Sequence, residues 1–139
     1  IGTVLKIENA IAFRNLPRIL LASLISPPVG VMVARGDLAV EVGFERLSEL
    51  QEESRWLCEA AHVPVIWANQ VFEGIANGVA PTRAEVSDAV MSSRAECVML
   101  NKGPRVVDTV AFLADILERM AEHHDKRMAL LRRLSVSEF

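Results

Sequence analysis

Cysteine and long apolar runs are both scarce in this sequence. The two cysteines, Cys58 and Cys97, do not make a disulfide framework or a CxxC metal site. We therefore interpret both as small buried hydrophobic side chains in a reducing compartment. No apolar run approaches the ~20 residues that a membrane-spanning helix needs, and the N-terminus has no signal-peptide pattern. We expect a cytoplasmic protein with no membrane partner.

Clustered positive charge is also lacking. The formal net charge is −3, and the basic residues around Arg132 and Arg133 form only a short, mixed run. Nucleic-acid binding needs a basic patch or stripe, so we expect no nucleic-acid partner. The composition, 51% hydrophobic and 24% charged, is that of a globular protein, and the length allows a single domain, residues 1–139. Because the first residue is not Met, we expect a longer parent protein.

Four short apolar runs are present, each bounded by polar, Gly or Pro residues. The runs are Thr3–Ile7, Val29–Ala34, Pro64–Ala68 and Glu96–Leu100. Their continuous, β-branched character is typical of buried parallel strands. The strand ends recur about every thirty residues, which is the size of one β–loop–helix unit. Four such units in series predict an α/β fold with a parallel sheet, either a small doubly wound sheet or half of a (β/α)8 barrel.

Helical periodicity fills the segments between these runs. The first helix follows Asn9, and Pro17 is expected to kink or restart it. The second has an apolar stripe of Phe44, Leu47, Leu50, Leu57 and Ala61. The third, from Val106 to about Leu134, has a stripe of Val106, Val110, Leu113, Leu117 and Met120, so residues 105–139 form a long C-terminal helical segment.

Polar side chains collect where the predicted strands end. Lys6 and Glu8 are two apart on an extended segment, so both point to one face. The later strands are followed by Arg35 and Asp37, by Asn69 and Gln70, and by Asn101 and Lys102. Ligands of parallel α/β folds bind at this edge of the sheet. Glu8 and Asp37 would suit Mg²⁺ or Mn²⁺, and Gly36 would let backbone amides approach an anion.

Each of these features also has a purely structural interpretation. Lys6 and Glu8 could form an ion pair at the rim, and Asp37 could belong to an ordinary turn after a strand. Asn69 could cap the next helix. The residue pattern alone leaves these alternatives open.

Five motifs, in this order and spacing, resemble the pyruvate kinase family. They are Lys6–Asn9, Val31–Leu38, Pro64–Gln70, Pro81–Glu85 with Ser87 and Asp88 behind it, and Cys97–Leu100. The similarity runs from the first residue to about Ala121. It implies strands five to eight of the family's catalytic barrel: a half-barrel in which four parallel strands alternate with helices. The implied activity is phosphoryl transfer from phosphoenolpyruvate to ADP, which gives pyruvate and ATP in glycolysis.

The resemblance also implies a role for each site residue. Lys6 would face the transferring phosphoryl group and the enolate, and Glu8 and Asp37 would hold Mg²⁺ or Mn²⁺. The backbone amides of Gly36 and Asp37 would receive the substrate carboxylate, with Arg35 among the substrate-binding residues. The parent enzyme would also bind K⁺, through ligands that lie outside this chain.

Three positions depart from the family pattern. Asn69 stands where a threonine that helps to relay a proton is usual; we count it as a catalytic and substrate-binding residue, although an amide is a poor proton relay. Ala39 replaces a second glycine, and residues 101–104 replace the usual Ser-Gly-Glu-Thr. These changes favour a divergent member of the family. A Mg-dependent lyase or aldolase acting on pyruvate enolates and a non-catalytic binding domain remain alternatives. Residues 122–139 align with nothing.

A half-barrel would leave two sheet edges and its interior face uncovered. The edges are Thr3–Ile7 and Glu96–Leu100. The side chains expected to be exposed are those of Val31, Val33, Ile66, Val98 and Leu100. We therefore expect the partner to be the remaining half of the barrel or a second copy of the chain, as a homodimer or larger homo-oligomer. The isolated piece is expected to be inactive, since the lobe that closes over ADP is missing.

Overall fold

The computed structural model describes residues 1–121, apart from the side chain of Asn69. Four strands alternate with six helices in this part of the chain. The elements are β1 (Thr3–Ile7), α1 (Ala10–Ser23), β2 (Val29–Ala34), α2 (Arg35–Val42), α3 (Phe44–Ala60), β3 (Val65–Val71), α4 (Glu73–Ala76), α5 (Arg83–Ser92), β4 (Cys97–Leu100) and α6 (Val106–Met120). None of the helices among these residues has the length and apolar character needed to cross a membrane.

The strands form a sheet in the order β1-β2-β3-β4. β1 and β2 are parallel, with Lys6 opposite Met32 and Ile7 opposite Val33. The first two predicted runs match β1 and β2 residue for residue. β3 begins one residue later than predicted and continues three residues further, and β4 begins at Cys97. The described residues fall into two compact units, residues 1–67 and 68–121, and the expectation of one domain over residues 1–139 stays a prediction.

Helix α1 begins at a side-chain cap and continues through a proline. The Ala12 N–H donates to Asn9 Oδ1 at 2.7 Å, which satisfies one of the free amides of the first turn. Pro17 lies inside a single helix, so the predicted restart at this residue is wrong. Proline removes one backbone hydrogen bond. The buried face formed by Phe13, Leu16 and Leu20 offsets that loss.

Burial of the sheet and of α3 differs from the sequence expectation. Val31 and Val33 are 0% and 1% exposed, so the prediction that they lie on an uncovered face is wrong. Cys58 is buried in α3, as predicted. Phe44 is exposed because it is the first residue of α3, directly after the turn at Gly43 with φ +92°. The buried face of α3 is formed by Leu50, Glu53, Ser54 and Cys58, so the apolar stripe is only partly right.

The predicted apolar stripe of α6 is only partly right. The buried residues are Thr109 and Leu113, of which Leu113 belongs to the stripe, whereas Val110 is 53% exposed. Thr109 can be buried because its hydroxyl donates to the Arg105 carbonyl at 3.0 Å, so no polar atom is left unsatisfied there. Cys97 is exposed on β4, so the prediction that it is buried is wrong. The predicted continuation of this helix to Leu134 lies outside the described residues.

The Pro81–Glu85 motif forms the start of α5. The Glu85 N–H donates to Thr82 Oγ1 at 3.2 Å, and the Thr82 N–H donates to Glu85 Oε2 at 2.8 Å, a reciprocal capping box. The Gly74 N–H, in α4, donates to Glu85 Oε1 at 2.9 Å. The backbone hydrogen bonds from Thr82 and Gly74 hold the pKa of Glu85 below its ordinary value. This motif therefore has a structural function, which is to join two consecutive helices.

Candidate functional site

Three charged side chains meet at the end of β1 and the start of α2. Lys6 Nζ forms an ion pair with the Glu8 carboxylate and lies 3.5 Å from Asp37 Oδ2. The side chains of Lys6, Glu8 and Asp37 are 50%, 42% and 65% exposed, so a ligand can reach all three. The predicted placement of Lys6 and Glu8 on one face is confirmed. Asp37, which is 31 residues from Lys6, completes the cluster.

The cluster fixes the charge of its lysine. The hydrogen bond to Glu8 is the main reason that the pKa of Lys6 lies above its ordinary value, and Asp37 raises it further. Lys6 is therefore a protonated ammonium at neutral pH and is not available as a base in this state. Its charge stabilises the two carboxylates that border it, and it can equally face a negatively charged ligand.

The first turn of α2 points backbone amides out of the helix. Gly36 and Asp37 belong to this turn, and the N–H groups of a first helical turn have no acceptor within the helix itself. Ala34 stands at the cap position and supplies no side-chain hydrogen bond. Among the described residues, a Cβ atom on Gly36 would meet no heavy atom within 4 Å, so the space beside this turn is open. Exposed amides at a helix N-terminus favour an anion there.

Glu41 is a residue near the site that the sequence analysis missed. The Ala10 N–H, at the start of α1, donates to Glu41 Oε2 at 3.2 Å. Because Glu41 belongs to α2, this contact ties that helix to the segment that follows Glu8. The only sequence signal was its position four residues after Asp37, which places both acids on one side of a helix.

Arg35 stacks on an aromatic ring of the neighbouring strand. Its guanidinium carbon lies 4.7 Å from the centre of the Trp67 ring, in a cation–π arrangement. Trp67 is 3% exposed, so its ring belongs to the core. The residue expected to bind substrate is thus stacked on the Trp67 ring of β3.

The end of β3 has an unusual backbone. Gln70 and Phe72 have φ values of +62° and +55°, a left-handed conformation that is uncommon for residues other than glycine. The Gln70 N–H donates to Asn101 Oδ1 at 3.0 Å, so Asn101 stabilises this conformation. Asn69 lies in β3, but its side chain is outside the described part of the structure, so its catalytic role stays a prediction. The alternative that it caps the next helix is wrong, because α4 has Phe72 at its cap position.

Two carboxylates of this site, those of Glu8 and Asp37, are available to bind a metal ion. Within residues 1–121, no three His, Cys, Asp or Glu side chains are close enough together to hold a metal ion. Glu8 and Asp37 have the hard oxygen donors that Mg²⁺ and Mn²⁺ prefer. Magnesium often binds through one or two carboxylates, with water and substrate oxygens as its other ligands. The donor chemistry therefore fits such an ion when it is shared with a substrate.

Comparison with known proteins gives the family. Residues 1–104 match the family described as pyruvate kinase, barrel domain. The chain belongs to this family. The fold agrees with a pyruvate kinase from Cryptosporidium parvum, with a TM-score of 0.73 and 28% identity over 91% of this chain and 28% of that one. The expected parallel α/β fold of the pyruvate kinase barrel type, with strands alternating with helices, is confirmed.

Individual relatives are considerably longer than this chain. It is 44% identical to plastidial pyruvate kinase 3 from Arabidopsis thaliana, a match that covers 73% of this chain and 17% of the relative. It is 38% identical to a pyruvate kinase from Encephalitozoon cuniculi over 90% of this chain and 29% of the relative. The chain thus spans less than a third of the length of these pyruvate kinases. Since the Arabidopsis protein is named chloroplastic, the cytoplasmic location stays a prediction.

Proposed function

We propose that this chain is the second half, strands five to eight, of a pyruvate kinase barrel. It would supply the metal-binding and enolate-binding part of a site that transfers a phosphoryl group from phosphoenolpyruvate to ADP. The observation that carries the proposal is the convergence of Lys6, Glu8 and Asp37 beside the open first turn of α2. Family membership supports the same chemistry.

Each part of this site has a distinct task in phosphoryl transfer. Such reactions need charge neutralisation and alignment more than covalent help. The Lys6 ammonium would face the transferring group and stabilise its negative charge. The Gly36 and Asp37 amides would orient the substrate carboxylate. Glu8 and Asp37 would hold Mg²⁺ or Mn²⁺, which supplies further neutralisation of substrate oxygens when bound. The K⁺ site would lie elsewhere in the parent enzyme.

We also propose that the chain comes from a divergent branch of the family. Asn69 can hydrogen-bond a substrate, but its amide cannot pass a proton on as a hydroxyl can. The departure at residues 101–104 has a structural function, since Asn101 accepts the Gln70 N–H and Gly103 lies close to Ala76. The Asn69 substitution is the one that bears on the proton transfer to the enolate, and in this branch the proton would come from water.

Metal binding tests the assignment of the two carboxylates. We expect the 139-residue chain to bind Mn²⁺ weakly, because it offers two carboxylates and keeps the Lys6 charge beside them. The double substitution Glu8→Gln with Asp37→Asn removes both anionic donors and should abolish binding in a calorimetric or paramagnetic-resonance titration. The matched control is Glu49→Gln with Asp115→Asn, which removes the same charge from exposed helical ion pairs. Unchanged Mn²⁺ binding by the first double variant would refute the assignment.

The strand order supports a proposal about assembly. β1 and β4 are the edge strands of the described sheet. Val4, on β1, is exposed although it is apolar. Exposed strand edges favour pairing with another chain. We propose that the remaining half of the barrel covers them in the parent enzyme, and that a second copy does so in the isolated, inactive piece. Light scattering at micromolar concentration should give the mass of a dimer or larger assembly, and a well-folded monomer would contradict this.

A further inference from the structure

Trp67 combines a buried ring with an unsatisfied polar atom. The residue is 3% exposed, and its indole N–H has no hydrogen-bond partner among the residues that the structure describes. A buried donor without a partner destabilises the fold. A leucine would fill much of the same space and has no hydrogen-bond donor in its side chain. Hydrogen bonding therefore gives no reason for tryptophan here. The contact that distinguishes this ring from an aliphatic side chain is the Arg35 guanidinium, 4.7 Å from its centre.

Arg35 connects this ring to the candidate anion site. It is the first residue of α2, and Gly36 and Asp37 follow directly. α2 has only eight residues and no side-chain cap at its start, so little in the helix itself fixes its first turn. The stack on Trp67 attaches that turn to β3, which is part of the sheet.

We propose that Trp67 is a positioning residue for the carboxylate-binding turn. By holding Arg35, it fixes the direction of the Gly36 and Asp37 amides and of the Asp37 carboxylate. The inference rests on the proposed function, since it assumes that a carboxylate binds at this turn. Trp67 touches no ligand in this account and acts only through Arg35.

The test measures oxalate binding by the 139-residue chain in the presence of Mn²⁺. Oxalate is a suitable probe because it has the carboxylate and the second anionic oxygen of a pyruvate enolate. Trp56→Phe leaves Trp67 as the single indole, since the chain has two tryptophans and no tyrosine. In this background oxalate should change the Trp67 emission. Calorimetry then gives the affinity of each variant.

Four substitutions in that background separate positioning from stability. Arg35→Lys keeps the charge but loses the planar stacking group, and Trp67→Leu removes the ring face. Each should weaken oxalate binding about 5- to 30-fold, the range expected for losing one such contact. Trp67→Phe keeps an aromatic face and should restore most of the affinity. Arg46→Lys, at an exposed ion pair on α3, is the control and should bind normally.

The outcomes distinguish this inference from the proposed function. Normal oxalate affinity in both Arg35→Lys and Trp67→Leu would overturn the positioning function and leave the proposed function intact. No oxalate binding by the chain with Trp56→Phe alone would overturn both. Trp67 would be only structural if the oxalate affinity of each variant fell in proportion to its melting temperature and Trp67→Phe did not restore oxalate binding. If Trp67→Leu does not fold, Trp67→Met takes its place, because methionine is a flexible side chain that fills the space without an aromatic face; normal oxalate affinity in that variant would likewise overturn the positioning function.

Discussion

Replacing Lys6 with methionine in the complete enzyme that we propose contains this chain is expected to lower kcat at least ~10³-fold. Methionine has a similar length and no charge, so the negative charge of the transferring group would lose its nearest protein cation. Lysine is an ammonium throughout the neutral range, and Glu8 raises the pKa of Lys6 further, so the lost group is a positive charge. Because the proposed site would also hold substrate through α2 and the metal, KM should change much less.

Steady-state pyruvate formation from phosphoenolpyruvate and ADP measures this effect. Arg119→Met is the matched control, since Arg119 also pairs with a carboxylate, Asp115, but lies on the exposed face of α6. The control should retain normal turnover. A Lys6→Met enzyme with more than about a tenth of normal kcat would show that Lys6 is only a rim ion pair, because such pairs contribute little.

The second large effect concerns stability, at Gly103. A Cβ atom there would lie 2.4 Å from the carbonyl oxygen of Ala76 and 2.8 Å from its carbonyl carbon. Both atoms are backbone, and the same carbonyl accepts the Arg105 N–H at 3.1 Å, so it cannot move without losing that bond. We expect Gly103→Ala to lower the free energy of unfolding by about 2–4 kcal/mol, as overpacking against an immobile group does.

Urea denaturation of the 139-residue chain would measure that loss. Gly36→Ala is an instructive control, because a Cβ at this position meets no heavy atom within 4 Å. It should leave the free energy of unfolding unchanged or raise it by up to about 1 kcal/mol, because alanine restricts the unfolded chain more than glycine does. Equal stabilities of the two variants would contradict the close contact at Gly103.

Parts of this structure could be predicted from sequence because local pattern determines them. β1 and β2 are short, mainly apolar runs rich in β-branched residues between breakers, and such runs favour strands. Alternation along an extended chain placed Lys6 and Glu8 on one face without any tertiary information. The approach of Asp37 followed from the parallel order of neighbouring strands, which brings their carboxyl ends to one edge.

Other features depend on tertiary contacts that the pattern does not contain. The buried face of α6 includes Thr109 because the Arg105 carbonyl satisfies its hydroxyl, and a search for apolar stripes skips threonine. Val110 was included in that stripe for its hydrophobicity alone and is exposed. The stack of Arg35 on Trp67 joins residues 32 positions apart, so no local signal could show it. The bond from the Gly74 N–H to Glu85 joins residues 11 positions apart and is likewise not indicated by any local pattern.

The measurement that tests the central claim most directly is the reaction itself, assayed with the complete protein. The account predicts pyruvate formation from phosphoenolpyruvate that requires both ADP and Mg²⁺ or Mn²⁺, with one ATP formed for each pyruvate. The same protein should not release pyruvate from 4-hydroxy-2-oxo acids, the substrates of a metal-dependent aldolase. Pyruvate release from those acids without ADP, or no binding of phosphoenolpyruvate in the presence of Mn²⁺, would contradict the account.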